Sequence, residues 1–298
     1  MKCFFINLDR VPERRAHMER EFAKVGLEAE RFPAVDALHI EDYDNVRYVP
    51  GSGVRWEIFK SQIGVFESHR RIWQMVVAQN LDMAAVFEDD MFFLPDLVDL
   101  LGLLETAGPQ FDLVKLDSAF YPVPLSAPEL TIGQWPLRRI LADSTSCGAY
   151  VLTRHAAEKL LAWSDPYCDH IDDFTFRPRP GWRAYQAEPV VASQLTMLPR
   201  DFADRYADAR QTIAQSERNV DPRIRQKLAK APLPRRIRKQ MTRTAGKILW
   251  RLYGRRRLLA SGGVISTSAM AAERLHGNDE GNLAPDCLGQ LVDPSERP

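Results

Sequence analysis

Short apolar runs at residues 2–8, 83–87, 111–116 and 148–152 alternate with stretches whose apolar residues recur at helical spacing. Runs of that length between polar flanks read as buried strands. Strands interleaved with amphipathic helices imply an α/β sandwich with a largely parallel central sheet. The first run closes at Asp9-Arg10 and Pro12, after which Ala16, Met18, Phe22 and Val25 share one helical face up to Gly26. Phe59, Ile63, Phe66, Trp73 and Val77 trace a long amphipathic helix ending near Asn80. Residues 97–104 form another predicted helix, and Thr153 is a predicted N-cap for a helix over 154–163. Residues 30–35 read as a short second strand and 184–191 as a last one, while 36–55 and the Pro-rich 121–136 read as loops. Within the second loop, 130–132 is a candidate edge strand.

The run Ala84-Ala85-Val86-Phe87 ends in three adjacent acids, Glu88, Asp89 and Asp90. Three carboxylates at the mouth of a buried strand repel one another and lose hydration unless a cation sits among them. Oxygen-only donors suit a hard divalent ion, Mg²⁺ or Mn²⁺, of the kind that bridges carboxylates to substrate phosphates. Ligands of open α/β sheets bind beyond the carboxyl ends of strands, where this cluster falls. The competing reading is a solvated acidic turn.

Other residues gain weight from their position. Asn7, Asp9, Arg10 and Arg14 follow the first strand, where arginines can pair with a diphosphate and Asn or Asp with a base or ribose. An exposed, charged first helical turn is the alternative. Ser68 and His69 lie within the long helix, where a histidine ordinarily serves packing or hydrogen bonding. Asp165, Asp169, Asp172 and Asp173 crowd a short segment and offer a general base for an acceptor hydroxyl, or else only an acidic loop.

Charge is segregated along the chain. Residues 1–221 hold 24 Lys/Arg and 34 Asp/Glu, 222–272 hold 14 Lys/Arg and no acid, and 273–298 hold two Arg and six acids. The expected division is a catalytic domain at 1–221, a basic amphipathic segment at 222–261 and a disordered tail at 262–298. Arg235, Trp250, Leu252 and Arg255-Arg256-Arg257 interleave basic and apolar character, which suits a helix lying on an anionic membrane surface better than a nucleic-acid partner. Cys3, Cys147, Cys168 and Cys287 have neither metal-site spacing nor the density of a disulfide framework. No run has the length of a membrane span or the form of a signal peptide, so a cytoplasmic protein, peripheral on the inner face of the plasma membrane, is expected.

Six motifs in order carry a family resemblance: 6–10 with Glu13-Arg14-Arg15; 64–69 with Trp73; 85–90; 147–154; Asp169-His170; and 185–191. Together they resemble glycosyltransferase family 25, the lipooligosaccharide and lipopolysaccharide biosynthesis proteins, over residues 1 to about 195. The resemblance implies a GT-A-like (Rossmann-like) fold with a mostly parallel central sheet, to which the charge pattern adds a basic helical C-terminal extension. It also implies transfer of a hexose, usually galactose, from a UDP-sugar to a saccharide or lipid-linked saccharide hydroxyl, with inversion. Asp89 and Asp90 would hold the divalent cation, with Asp90 the principal ligand. Glu88, Asn7, Asp9, Arg10, Arg14, Ser68 and His69 would surround the nucleotide. Asp169 is the first expectation for the general base and Asp172 the second. The alternatives are a metal-dependent nucleotide hydrolase or nucleotidyltransferase, and a non-catalytic nucleotide-sugar-binding module.

Overall fold

A computed structural model of the chain describes residues 1–198, 207–218, 221–225, 231–235, 237, 241, 244 and 248–267. Its strands are β1 (Lys2–Asn7), β2 (Glu30–Pro33), β3 (Met83–Phe87), β4 (Met91–Phe93), β5 (Leu113–Lys115), β6 (Val123–Ile132), β7 (Trp135–Ile140), β8 (Ala149–Thr153), β9 (Ala184–Ala187), β10 (Ala192–Gln194) and β11 (Val264–Ser266). The helices are α1 (Pro12–Val25), α2 (Lys60–Ala78), α3 (Leu97–Ala107), α4 (Arg154–Trp163), α5 (Ile171–Phe176), α6 (Ala207–Arg218) and α7 (Arg255–Ala260). Nine strands form one sheet in the order β11-β6-β7-β9-β5-β8-β3-β1-β2, and β10 pairs with β4 beside it.

Alternation along the strands builds the layers. Cys3 and Phe5 of β1 face α1 and α3, while Phe4 and Ile6 face α2 and α4. The first face packs Phe22 against Phe5, Phe87 and Phe93 at centroid distances of 5.5, 5.5 and 5.1 Å. The second buries Phe66, Trp73, Tyr150 and Phe174. Pro12 opens α1 and left-handed Gly26 closes it, while the Thr153 hydroxyl accepts from Ala156 N–H at 3.1 Å to cap α4.

The expected α/β sandwich is therefore present. Its sheet is mixed, parallel where β2, β1 and β3 meet and where β5 meets β9, and antiparallel on both sides of β8 and beyond β9. Because β3 and β5 both run antiparallel to β8, they point the same way, and β1 and β9 point with them. The carboxyl ends of β1, β3, β5 and β9 consequently share one edge of the sheet with the residues that enter β8.

Several loop expectations are corrected. The stretch read as a Pro-rich loop is the hairpin β6–β7, turned at Gly133 (φ 58°) and Gln134. Register shifts on either side of Pro128 accommodate a residue that cannot donate to a ladder. Residues 37–42 form a 3₁₀ turn, and the acidic segment turns helical at α5. Val190 and Val191 lie outside β9, and the strand after them pairs with β4 instead. The disordered reading of 262–298 fails at β11, which pairs antiparallel with β6 and buries Ile265. Residues 268–298 lie outside the described residues. Arg235, in the basic segment, donates to the carbonyls of Gly51 (3.0 Å) and Gly53 (2.8 Å) and sits over the Trp56 ring at 5.1 Å.

Candidate functional site

The shared sheet edge collects most of the predicted residues in one pocket, lined among others by Asn7, Arg14, His69, Glu88, Asp89 and Asp90. Asp90 is 6% exposed. Gln194 Nε2 donates to Glu88 Oε2 at 2.8 Å and lies 3.4 Å from Asp90 Oδ1, so one amide spans both acids. The β4–β10 ladder brings it there, because Gln194 is in register with Met91, the residue after Asp90. Burial and then the field of neighbouring carboxylates, foremost Asp117 for Glu88 and Glu88 for Asp90, push both acids up to about 8. The two titrate as a pair.

Asp89 behaves differently. Asn7 Nδ2 donates to its Oδ2 at 2.8 Å and Arg14 Nη1 to its Oδ1 at 2.9 Å. Both oxygens are thus engaged, and Asp89 is an anchor that fixes Arg14 4.0 Å from Asp90 Oδ2. Of the two expected metal ligands, Asp89 is thus fully hydrogen-bonded by Asn7 and Arg14, while Asp90 lies beside Glu88 under the shared Gln194 amide. Among the described residues no group of three or more His, Cys, Asp or Glu side chains is set to hold a metal ion. A half-buried Glu88 and a buried Asp90 that resist joint ionisation nevertheless fit a hard divalent cation, which characteristically takes one or two carboxylates and completes its shell with phosphate and water oxygens.

The remaining expectations divide. Arg10 lines the pocket while its Nε donates to Asp36 at 2.7 Å, whereas Asp9 is exposed and paired with Arg31. Ser68 also lines the pocket, but its hydroxyl accepts from Val35 N–H at 2.8 Å and donates to the Gly64 carbonyl at 2.7 Å. It ties the 34–37 segment to α2, and a side chain at Gly64 would meet the Val35 carbonyl at 2.8 Å. His69 is wholly buried, which lowers its pKa to about 3 and keeps the ring neutral; Nε2 is 3.4 Å from Glu88 Oε1. Asp169 and Asp172 do not line the pocket. Asp169 accepts from Val54 N–H at 3.1 Å and from Arg177 at 3.2 Å. Asp172 accepts from Ser146 N–H at 3.2 Å, and its charge reaches both His69 and Glu88.

Sequence reasoning missed a buried group behind Glu88. Lys115 Nζ donates to Asp117 Oδ1 at 2.5 Å and to the Ser146 carbonyl at 2.6 Å, and Ser146 Oγ bonds the other Asp117 oxygen. A lysine inside an apolar strand was the available signal, since such a cation is almost never buried without a partner. Gln194 carried no signal, because only the ladder brings it close.

Residues 1–123 match the model of glycosyltransferase family 25 (LPS biosynthesis protein). A Drosophila melanogaster protein described as a glycosyltransferase 25 family member is 38% identical over 124 residues, covering 38% of this chain and 20% of that protein. The lacto-N-neotetraose biosynthesis glycosyltransferase LgtE of Neisseria gonorrhoeae is 25% identical over 283 residues, 87% of this chain and 99% of that one. Procollagen galactosyltransferase 1-A of Xenopus laevis is 30% identical over 218 residues, 67% of this chain and 34% of that one. The chain therefore spans about a fifth of the length of the insect relative it matches. The family 25 resemblance is borne out over the matched residues, which contain the whole Glu88-Asp89-Asp90 cluster.

The raised acids fix a pH dependence. The folded protein retains protons that the unfolded chain releases between its ordinary carboxyl range, 4.5 and 3.8 for these two groups, and about 8. Stability therefore falls as pH rises through that window. Thermal melts of the metal-free protein from pH 5 to 8 should show a declining Tm, with the decline largely removed in the double variant Glu88→Gln/Asp90→Asn. A variant that declines as steeply as the parent would disprove the assignment.

Proposed function

We propose that this family 25 chain is a metal-assisted glycosyltransferase moving a hexose, galactose by preference, from a UDP-sugar to a saccharide hydroxyl with inversion, in bacterial surface-glycan synthesis. The observation that carries the reading is the Glu88/Asp90 pair, raised together and facing a pocket that also holds Arg14, inside the span the family matches. The galactose preference draws on the printed name of the Xenopus relative, and the surface-glycan setting on the family's description.

Loss of a nucleoside diphosphate builds negative charge, and catalysis lies in stabilising that charge more in the transition state than in the ground state. Glu88 and Asp90 would hold a divalent cation, Mn²⁺ or Mg²⁺, whose chemistry is to offset that charge on the diphosphate. Arg14, steered by Asp89, supplies a fixed guanidinium beside them. Asn7 holds Asp89 in turn, so the strand end, the first helix and the acidic motif act as one frame. Proton removal from the acceptor falls to Asp172 in this reading. Asp169 has both oxygens committed to Val54 and Arg177, whereas Asp172 is within electrostatic reach of Glu88. A carboxylate on the face opposite the leaving group gives inversion.

The C-terminal segment supports a membrane-surface location on the cytoplasmic side. Leu249, Leu252 and Tyr253 are exposed beside Arg255, Arg256 and Arg257, while Leu258 is buried and anchors α7. Among the described residues no helix is long and apolar enough to cross a membrane. Apolar side chains among arginines on an outer surface suit adsorption to anionic headgroups next to a lipid-linked acceptor.

With a panel of UDP-sugars and Mn²⁺, the protein should release UDP and transfer sugar to a saccharide. Asp90→Asn should lower kcat/KM by at least about a hundredfold. Asp172→Asn should lower kcat about a hundredfold with little change in donor KM. Release of UMP, or full activity in folded Asp90→Asn, would refute the reading. In vesicle co-sedimentation, the full chain should bind phosphatidylserine-containing vesicles and lose them as salt rises or when Leu249, Leu252 and Tyr253 are changed to Ser. Equal sedimentation with neutral vesicles at every salt concentration would refute the membrane assignment.

A further inference from the structure

Behind Glu88 lies a chain of three buried polar groups that the transfer reaction does not otherwise require. Trp73 Nε1 donates to the Tyr150 hydroxyl at 3.0 Å, and that hydroxyl is 2.9 Å from His69 Nδ1. The Trp73, Tyr150 and His69 side chains are all at 0% exposure, so no solvent satisfies them. An indole N–H is a donor only, so Tyr150 accepts from Trp73 and its own hydrogen must find an acceptor. Among the described residues, Nδ1 of His69 is the acceptor in reach. If Nδ1 carried the proton instead, the Tyr150 hydroxyl would receive two donors and bury its hydrogen unpaired, a costly arrangement.

We propose that the Trp73–Tyr150 pair is a positioning device that locks His69 in its Nε2–H tautomer, so that a hydrogen-bond donor rather than a lone pair faces Glu88 at the floor of the pocket. Among the described residues His69 Nε2 has no hydrogen-bond partner, and it is 3.4 Å from Glu88 Oε1. Gln194 approaches the other Glu88 oxygen at 2.8 Å, so with His69 locked the carboxylate has a donor on each side. A donor on each side holds the carboxylate in one orientation, whereas a lone pair at Nε2 would repel the oxygen it faces. Trp73 and Tyr150 thereby act on the site without touching any ligand, as the outer partners of metal-site histidines do elsewhere. The inference deepens the cation reading of Glu88 and rests on it for its consequence, but not for the tautomer.

The test uses the ¹⁵N-labelled full-length protein. Two-bond ¹H–¹⁵N spectra at pH 7 report the tautomer of each histidine, and His69→Gln identifies the His69 signal. The expected result is a protonated Nε2 and a bare Nδ1 in the parent protein. Tyr150→Phe removes the hydroxyl that imposes this choice, so His69 should shift toward the Nδ1–H or a mixed form. Affinity for Mn²⁺ alone, followed by electron paramagnetic resonance, should fall about tenfold in the same variant. A parent His69 that is Nδ1-protonated or doubly protonated overturns the proposal, as does a tautomer indifferent to Tyr150→Phe. A shifted tautomer with unchanged Mn²⁺ affinity overturns the link to Glu88. The expected tautomers with no Mn²⁺ binding by either protein uphold the relay and remove the cation reading instead.

Discussion

The arrangement of this molecule turns on two carboxyl groups, Glu88 and Asp90, held side by side at the end of a central strand where neither is well hydrated. Burying a charge is costly, and burying two of the same sign more so, and the groups around them are arranged to offset that cost. Gln194 bridges the pair, Arg14 stands 4.0 Å from Asp90, and Lys115 neutralises Asp117 directly behind Glu88. Asp89, between them in sequence, is turned aside and held by Asn7 and Arg14. What stays uncompensated is the pair itself. That pair is where the cation proposed above would displace protons.

The fold explains why these residues can meet. β1, β3, β5 and β9 deliver Asn7, Glu88, Asp117 and Glu188 to one edge because β8 lies antiparallel between β3 and β5. The pocket is closed on one side by α2, whose Gly64 and Ser68 allow the 34–37 segment to lie against it. On the far side the C-terminal stretch returns to the body of the protein. β11 extends the sheet beyond β6, and Arg235 grips the carbonyls of the 51–53 turn, next to the backbone of Val54 that Asp169 holds. The basic segment is thus tied to the loop beside the second acidic motif.

Much of this was legible in the sequence. Periodicity located β1, β3, α1, α2 and α4, because each buries a complete face or both faces, and the Thr153 cap was read from its type and place. The acidic motif was legible because three acids after an apolar run conflict with their own setting. Less visible were elements defined by partners distant in sequence. The β6–β7 hairpin hides under three prolines that its register shifts tolerate, and β11 takes its order from β6 rather than from its own composition. Division of labour within the acids was equally hidden. Asp89 and Asp169 look like their neighbours in sequence, and only the donors around them, Asn7 and Arg14 for one and Val54 and Arg177 for the other, mark them as anchors. Ser68 is similar, since a hydroxyl on a pocket wall can be wholly occupied by backbone.

The central claim is that a cation and a proton compete for the same two carboxyl groups. Calorimetric titration of Mn²⁺ with UDP into the protein at pH 7, repeated in buffers of different ionisation enthalpy, measures that competition directly. With both acids raised to about 8, the account predicts release of about two protons for each cation bound. Binding with no buffer dependence, or no binding at all, would contradict it.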